Sequence, residues 1–244
     1  MRPLTPSPSY SASRPLFIEH SDQPLFRFTK QASAFLCEFR GQSYAVTARH
    51  VLKHDGGEYD TDQIRIPVRD GITKFLSYDY HWEVARPDEV KEEFNDLILL
   101  RLITPIDEAW ADDRAPIGPM TPRLAASSFV PGGDLVVSGY PGIGQNEVNY
   151  ERDTITNQRF IVQCEYDGLS GRYVHALRVH QTGVIPDFGG FSGGLVIARL
   201  EKGQVPAGVV ITAGSAATNV IRFIDADALC SSLKSFFSQV GSAR

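Results

Sequence analysis

Residues 190–194 read GFSGG, a serine flanked by glycines. More than one fold uses such a pentad, and the rest of the chain is interpreted by asking which of these folds it fits. Because glycine lacks a Cβ atom, a backbone of this kind can turn sharply and let a substrate carbonyl approach the hydroxyl of Ser192. Its backbone N–H groups can also converge on an oxygen that becomes negatively charged during a reaction. Glycine-rich turns with a serine are also common as ordinary loops, so the pentad needs support from residues elsewhere in the chain.

The first candidate fold is the α/β-hydrolase, whose nucleophile elbow has the pattern G-x-S-x-G. In that fold the serine comes first, the acidic residue second and the histidine last. All histidines of this chain precede Ser192, namely His20, His50, His54, His81, His175 and His180. An α/β-hydrolase would therefore lack its base, and the chain shows no alternation of strand and helix patterns. We exclude this fold.

Short strand-like segments fill the chain beyond residue 30 and are separated by Gly, Pro, Asp and Asn. Residues 34–40 (AFLCEFR), for example, place apolar side chains on one face and polar side chains on the other. A long helical pattern begins only near Asp225, which is a candidate N-cap for a final helix. The pattern predicts an all-β barrel or sandwich with a C-terminal helix.

Two further segments carry candidate catalytic residues. His50 lies in residues 47–51 (TARHV), just past a predicted strand, and Asp96 lies in residues 95–100 (NDLILL), directly before one. Each has an ordinary alternative, because single histidines are usually structural and an aspartate before a strand is usually a turn residue. The chain order His, Asp, Ser is nevertheless the order found in chymotrypsin-like barrels.

These segments together resemble the trypsin-like serine peptidases, of bacterial type. Residues 47–51 resemble the Thr-Ala-Ala-His segment of that family, residues 95–100 its Asp-Ile-Ala-Leu-Leu strand, and residues 190–194 its Gly-Asp-Ser-Gly-Gly motif. Residues 137–141 (VSGYP) and 208–214 (GVVITAG) are similar to two further strands. The resemblance covers about residues 30–240, and it implies two six-stranded antiparallel β-barrels with the active site between them.

The domain boundaries follow from this resemblance and from composition. We expect a flexible leader over residues 1–29, which are rich in Pro and Ser and contain no apolar stretch typical of a signal peptide. The first barrel is expected at 30–110, a Pro-rich linker at 111–122, the second barrel at 123–224, and the helix with a short tail at 225–244. The polar residues 142–158 are expected to form a long mobile loop.

The resemblance also implies a role for each site residue. Ser192 would attack the scissile carbonyl, His50 would accept and return the proton, and Asp96 would orient the imidazole. The backbone N–H groups of Gly190 and Ser192 would form the oxyanion hole. No metal or cofactor is expected, since His54, Asp55 and Glu58 lie close in sequence but lack a recognisable ligand spacing.

The substrate-binding residues are less strongly defined. Thr212, Ala213 and Gly214 would flank the substrate and offer an edge for an extended peptide. The base of the family's specificity pocket corresponds to Pro186, and Asp187 lies one position later. If the glycine-rich loop shifts register, Asp187 would receive an Arg or Lys side chain, and otherwise it is a solvent-facing carboxylate. Asn219 is a further candidate for this pocket.

One departure from the family concerns activation. Phe191 stands where animal members have an aspartate that pairs with a newly cut N-terminus, and no Ile-Val-Gly-Gly-like start is found near the front of the chain. Activation by insertion of an N-terminus is therefore not expected.

Charge and cysteine content limit the partners and the location. The chain has 24 Lys and Arg against 29 Asp and Glu, a net charge of −5, which argues against a dedicated nucleic-acid or acidic-membrane binder. No apolar run approaches the ~20 residues of a membrane span. Cys37, Cys164 and Cys230 are odd in number and distant in sequence, which favours reduced, buried thiols and a cytoplasmic location.

The sequence leaves more than one function open. The first is a serine endopeptidase that acts through an acyl-enzyme on a protein or peptide substrate, with restriction to one dedicated intracellular protein as an open alternative. The second is a barrel with little basal activity that serves as a regulatory or binding module until a protein partner activates it. An esterase on the same scaffold is the third.

Overall fold

The described part of the chain is built mainly from β-strands. The computed structural model describes residues 12–23, 27–54, 57–68, 74–83, 96–103, 123–142, 147–149, 151–152, 154–180, 188–201, 203–214 and 218–242. Within these ranges the strands are β1 (Ser13–Glu19), β2 (Phe28–Phe39), β3 (Gln42–Ala48), β4 (Lys53–His54), β5 (Gly57–Glu58), β6 (Ile64–Arg65), β7 (Tyr78–Glu83), β8 (Leu97–Leu102), β9 (Asp134–Gly139), β10 (Glu147–Asn149), β11 (Thr154–Thr156), β12 (Phe160–Leu169), β13 (Val174–Val179), β14 (Leu195–Leu200), β15 (Gly203–Ala213) and β16 (Val220–Asp225). One α-helix, α1 (Ala226–Ser242), follows the last strand in the described chain.

The first half of the chain forms a curled six-stranded antiparallel sheet in the order β6-β1-β2-β3-β8-β7. Its apolar side chains, such as Leu36, Ala45 and Ile98, fill a core of their own. The expectation of a closed first barrel is not met by the strands of the described residues. Residues 66–68 instead hydrogen-bond to residues 74–76, which lead into β7, so the two sheet edges approach through a short irregular hairpin.

The first strand corrects the expected leader. Ser13–Glu19 lie inside residues 1–29 but form β1, which pairs with both β2 and β6. Leu16 and Ile18 are fully buried, and burial of these apolar side chains outweighs the Pro and Ser content that suggested a flexible segment. The hydroxyl of Ser13 also donates a hydrogen bond to the carbonyl oxygen of Ser138 in β9 at 3.1 Å.

The second half of the chain forms a closed six-stranded antiparallel barrel in the order β12-β13-β16-β15-β14-β9. The barrel closes because β9 pairs with both β14 and β12. This barrel was predicted. Residues 142–158 are not simply a loop, because they contain the β10–β11 hairpin, in which Ile155 is buried.

Helix α1 joins the two halves. Asp225 caps it as expected, because its Oδ1 accepts a hydrogen bond from the Ala228 N–H at 2.8 Å. Leu229, Leu233 and Phe236 are buried in a core shared by both halves, which also includes Phe35, Val46 and Leu99 of the first sheet and Leu195, Val209 and Ile224 of the barrel. The helix therefore contributes to holding the two halves in one arrangement.

Two further sequence expectations concern the cysteines and the linker. Cys37, Cys164 and Cys230 are all buried, and none of the three is in a disulfide bond. The expected linker at 111–122 lies outside the described residues. None of the helices formed by the described residues has the length and apolar character needed to cross a membrane.

Candidate active site

The register between β3 and β8 brings His50 and Asp96 together. Ala48, the last residue of β3, pairs with Leu97, the first residue of β8. The residues just beyond this pair are therefore neighbours, and the Arg49 N–H donates a hydrogen bond to the Asp96 carbonyl oxygen at 3.0 Å. From Arg49 the chain turns into a short 3-10 helix that carries His50.

The Asp96 carboxylate holds His50 at two points. Its Oδ1 accepts a hydrogen bond from the backbone N–H of His50 at 2.6 Å, and its Oδ2 lies 2.6 Å from the imidazole Nδ1. An ionised carboxylate only accepts hydrogen bonds, so in the neutral imidazole the proton belongs on Nδ1. Nε2 is then left as an acceptor.

The hydroxyl of Ser192 lies at this acceptor. His50 Nε2 and Ser192 Oγ are 3.0 Å apart. Ser192 is 7% exposed, whereas the His50 side chain is 41% exposed and the Asp96 side chain 18%. The three side chains form a hydrogen-bonded series that runs from a partly buried carboxylate to a serine where the two halves meet.

The turn that carries Ser192 is tightly packed. Gly190 and Gly193 have φ angles of 91° and 82°, a region that favours glycine. A Cβ atom at Gly190 would lie 2.8 Å from the Tyr140 carbonyl oxygen, and one at Gly193 would clash with the carbonyl oxygen of Ser33. The sharp turn expected at residues 190–194 is therefore present, and the close approach of neighbouring backbone requires glycine at both positions.

Two backbone donors of this turn are available to a ligand. Among the described residues, no group accepts a hydrogen bond from the N–H of Gly190 or of Ser192. The neighbouring donors are used, because the Phe191 N–H donates to the Phe188 carbonyl oxygen and the Gly193 N–H donates to that of Val210. The same two N–H groups were expected to bind an oxyanion.

Phe191 anchors the turn through apolar contacts. Its side chain is fully buried in the core of the closed barrel, 6.3 Å from the ring of Phe188 between centroids. Its ring also packs so closely on Gly139 that a Cβ atom there would lie 2.7 Å from it. The turn is thus anchored by a buried apolar side chain.

The residues expected to bind substrate lie at the end of β15. Beyond Val210, no strand of the described chain pairs with the edge of β15 that faces away from β16. Thr212 is exposed there, and Ala213 is half-buried. This edge has the form needed to accept an extended peptide.

The candidate pocket residues are only partly described. Gly214 donates its N–H to the Val220 carbonyl oxygen at 3.0 Å. Asn219 has a φ of 50°, and its Oδ1 is buried without a hydrogen-bond partner among the described residues. Asp187 lies outside the described residues, so its role remains a prediction.

The residues considered for a metal have other contacts. The His54 ring stacks on Tyr59 with centroids 4.3 Å apart, and Glu58 forms an ion pair with Arg49 at 3.4 Å. Asp55 lies outside the described residues.

A cavity of about 490 Å³ lies elsewhere, at the start of α1, and no residue of the candidate active site lines it. His175 in its wall is buried and lies between Tyr166 Oη at 2.9 Å and Asp225 Oδ2 at 3.3 Å. These polar groups bond to one another, and a packing role for His175 is sufficient to explain them.

Sequence reasoning missed Ser33, which lies against the Ser192 turn. Its N–H donates to the Ser192 carbonyl oxygen at 2.9 Å, and its Oγ donates to the Gly190 carbonyl oxygen at 2.7 Å. The only local signal is that Ser33 is a polar residue between two alanines, in a segment that is buried in the structure. This pattern is too common to indicate a role.

Comparison with known proteins identifies no family for this chain. No family model matches it, and no curated protein matches it in sequence. Its function is therefore inferred from the motifs and from the geometry of the site.

Proposed function

We propose that this chain is a serine endopeptidase of the trypsin-like kind, with a catalytic triad of His50, Asp96 and Ser192. The observation that carries the proposal is the hydrogen-bonded series from Asp96 through His50 to Ser192 Oγ, with contacts of 2.6 and 3.0 Å. The two available N–H groups on the same turn add the second requirement of acyl transfer, a site for a negatively charged oxygen.

The chemistry follows from these positions. Ser192 Oγ would attack the carbonyl carbon of the peptide bond while its proton passes to His50 Nε2. The N–H groups of Gly190 and Ser192 would stabilise the oxyanion of the tetrahedral intermediate. His50 would then donate that proton to the leaving amine as the C–N bond breaks, which leaves an acyl-enzyme. Water, deprotonated by His50, would release the acid and restore the serine hydroxyl.

The substrate is proposed to be a protein or an extended peptide. It would add to the free edge at Thr212–Ala213, with the side chain before the cut near Gly214, Asn219 and Asp187. The three buried cysteines form no disulfide bond, which suits a reduced compartment, so an intracellular protein substrate is part of the proposal.

A partner-activated module with little basal activity is the second candidate. The observation that favours it is the hydrogen bond from the Gly142 N–H to the Gly189 carbonyl oxygen at 2.7 Å. It links the oxyanion-binding turn to the segment that leads into the β10–β11 hairpin. A partner on that hairpin could therefore change the site.

Labelling with a fluorophosphonate probe, followed by cleavage of a peptide library, tests both candidates. The wild type should be labelled at Ser192 and should cut peptide bonds. Ser192→Ala should lose the label and about 10⁴–10⁶-fold of the activity with an unchanged fold. Ser231→Ala, an exposed serine on α1, is the matched control. Labelling only after addition of a cell extract would favour the module, and near-full activity of Ser192→Ala would exclude the proposed nucleophile.

A further inference from the structure

Ser33 connects the first sheet to the barrel half that carries the catalytic turn through its backbone N–H and its hydroxyl. It is fully buried on β2. Its N–H donates to the Ser192 carbonyl oxygen, and its own carbonyl oxygen accepts a hydrogen bond from Thr47 Oγ1 at 2.8 Å. Its hydroxyl contacts two groups of the barrel half, the Gly190 carbonyl oxygen at 2.7 Å and the Tyr140 N–H at 2.8 Å.

The direction of the two hydroxyl bonds is unambiguous. A backbone N–H only donates and a carbonyl oxygen only accepts, so the single hydroxyl proton of Ser33 must point to Gly190. The oxygen accepts from Tyr140. Because Ser33 is fully buried, the loss of its hydroxyl would leave both backbone groups without this partner.

These bonds determine how the peptide planes of the turn are oriented. The Gly190 carbonyl and the Phe191 N–H belong to one peptide, which is held by Ser33 on one side and by the Phe188 carbonyl oxygen on the other. The preceding peptide carries the Gly189 carbonyl, which Gly142 holds, and the Gly190 N–H. In a trans peptide the carbonyl and the N–H point in opposite directions, so the Gly190 N–H points away from Gly142.

An alternative orientation of this peptide would remove the oxyanion site. Residues 189–190 are both glycine, and glycine crosses between regions of φ and ψ at little steric cost. Rotation of the peptide between them would turn its carbonyl oxygen toward the site and its N–H away from it. The apolar anchor Phe191 holds the chain in place, but it carries no polar side-chain group that could orient the peptide.

The segment that supports the turn is itself held by β2. The Tyr140 N–H donates a hydrogen bond to the Ser33 hydroxyl oxygen, and Lys30 Nζ, on the same strand as Ser33, donates a hydrogen bond to the Pro141 carbonyl oxygen. Gly142, the next residue, holds Gly189. Strand β2 thus fixes both the turn and the segment against which the turn is packed.

We propose that Ser33 is a positioning residue that keeps the Gly190 N–H directed into the oxyanion site. The inference rests on the proposed function and deepens it. Ser33 touches neither the substrate nor the reacting atoms. It acts through the peptide planes of residues 189–191.

Ser33→Ala tests the proposal because it keeps the backbone N–H and removes only the hydroxyl. We expect kcat to fall by about 10- to 100-fold with KM changed by less than about 2-fold, since an oxyanion site acts mainly in the transition state. A peptide aldehyde, whose tetrahedral adduct places an oxyanion in this site, should bind weaker by a similar factor. Binding of the uncleaved peptide, measured in the Ser192→Ala background, should not change.

Thr47→Val is the matched control. It removes another buried hydrogen bond to Ser33 but none to the turn, so its urea midpoint should fall comparably while kcat stays within about 3-fold of the wild type. If Ser33→Ala does not fold, Gly142→Pro provides the second test. It removes the N–H that holds Gly189 at an exposed position and should give the same loss of kcat.

The outcomes separate the two proposals. An active wild type with a Ser33→Ala variant no slower than Thr47→Val would overturn the positioning role alone. If Ser33→Ala cannot be folded, an unchanged kcat in Gly142→Pro would overturn it instead. A folded wild type that reacts with neither probe nor peptide would overturn the proposed function and the Ser33 inference with it.

Discussion

The backbone N–H of Ser33 donates a hydrogen bond to the carbonyl oxygen of Ser192 at 2.9 Å. Ser33 belongs to the first sheet, and Ser192 lies in the turn before β14 of the closed barrel. His50 comes from the first half as well, so the 3.0 Å distance between His50 Nε2 and Ser192 Oγ depends on the same junction. Changes that separate the two halves should therefore reduce activity before they unfold either half.

Asp96→Asn should preserve the shape of the site but lose nearly all of the proposed activity. An amide can present its NH₂ group to His50 Nδ1, which would move the imidazole proton to Nε2 and remove the acceptor for the serine proton. We expect kcat to fall by about 10⁴-fold near neutral pH with little change in the urea midpoint. An Asp79→Asn variant, whose carboxylate pairs with Arg101 on the surface, controls for loss of an acidic side chain. Loss of less than about 10-fold in Asp96→Asn would argue against the orienting role.

Activity should fall as the pH is lowered from about 8 to about 5. Only a neutral imidazole can accept the Ser192 proton, and a histidine gains its proton in this range. The profile of kcat/KM should show one protonation on its acid side, and the fluorophosphonate labelling rate should follow it. A flat profile with an intact fold would exclude a histidine base.

Lys30 gives a stability prediction that does not depend on catalysis. Burial lowers the pKa of Lys30 from its ordinary value of 10.5 to about 8. Between these values the unfolded chain binds a proton that the folded chain does not, so raising the pH through this window stabilises the folded state.

Lys30→Met lacks this linkage and is the reference. The difference in unfolding free energy, wild type minus variant, should rise by about 1–2 kcal/mol between about pH 7.5 and about pH 10.5. The full pKa change corresponds to about 3 kcal/mol, which the remaining solvent contact of the side chain reduces. Urea titrations at several pH values measure this difference. If the unfolding free energies of the two proteins change in parallel with pH, Lys30 is hydrated in the folded state and the prediction is wrong.

The sequence predicted the features of this fold and site that short local motifs encode, and it missed those that depend on contacts between distant residues. His50, Asp96 and Ser192 were found because each lies in a short motif beside a strand, and the cap at Asp225 was found for the same reason. Ser33 was missed because its contact with Gly190 spans 157 residues, and no local pattern encodes such a contact.

Two other misses have different causes. Strand β1 was hidden because Pro15 and the neighbouring serines suggested a flexible leader, whereas pairing with β2 and β6 makes the segment a buried strand. The β10–β11 hairpin was hidden because its residues are mostly polar and, among those whose burial is described, only Ile155 is deeply buried. In both segments the partner strand supplies what composition does not reveal.

Asp187 is predicted to decide the residue preferred before the cut. If its carboxylate enters the pocket, Arg and Lys should be favoured, and Asp187→Ser should lower kcat/KM for such substrates by about 30-fold or more. Substrates with an apolar residue there are the internal control and should change little. Equal rates for both classes in the variant and the wild type would show that Asp187 faces solvent.

Phe191 should be essential as an apolar anchor and intolerant of the aspartate that animal members of the family resembled carry at this position. Phe191→Asp would bury a carboxylate among Phe188, Gly139 and the barrel core. We expect the variant to be unfolded or inactive, because an unpaired buried charge costs several kcal/mol.

Phe191→Leu retains an apolar side chain and should cost about 1–2 kcal/mol while keeping the labelling rate within about 10-fold. Phe191→Ala should lie between them, with a loss of about 3–5 kcal/mol from the cavity that it creates. Urea unfolding and fluorophosphonate labelling of the three variants measure both effects. A folded Phe191→Asp enzyme with wild-type labelling would show that the turn is held by its hydrogen bonds alone, through Ser33 and Gly142, and that the apolar anchor is dispensable.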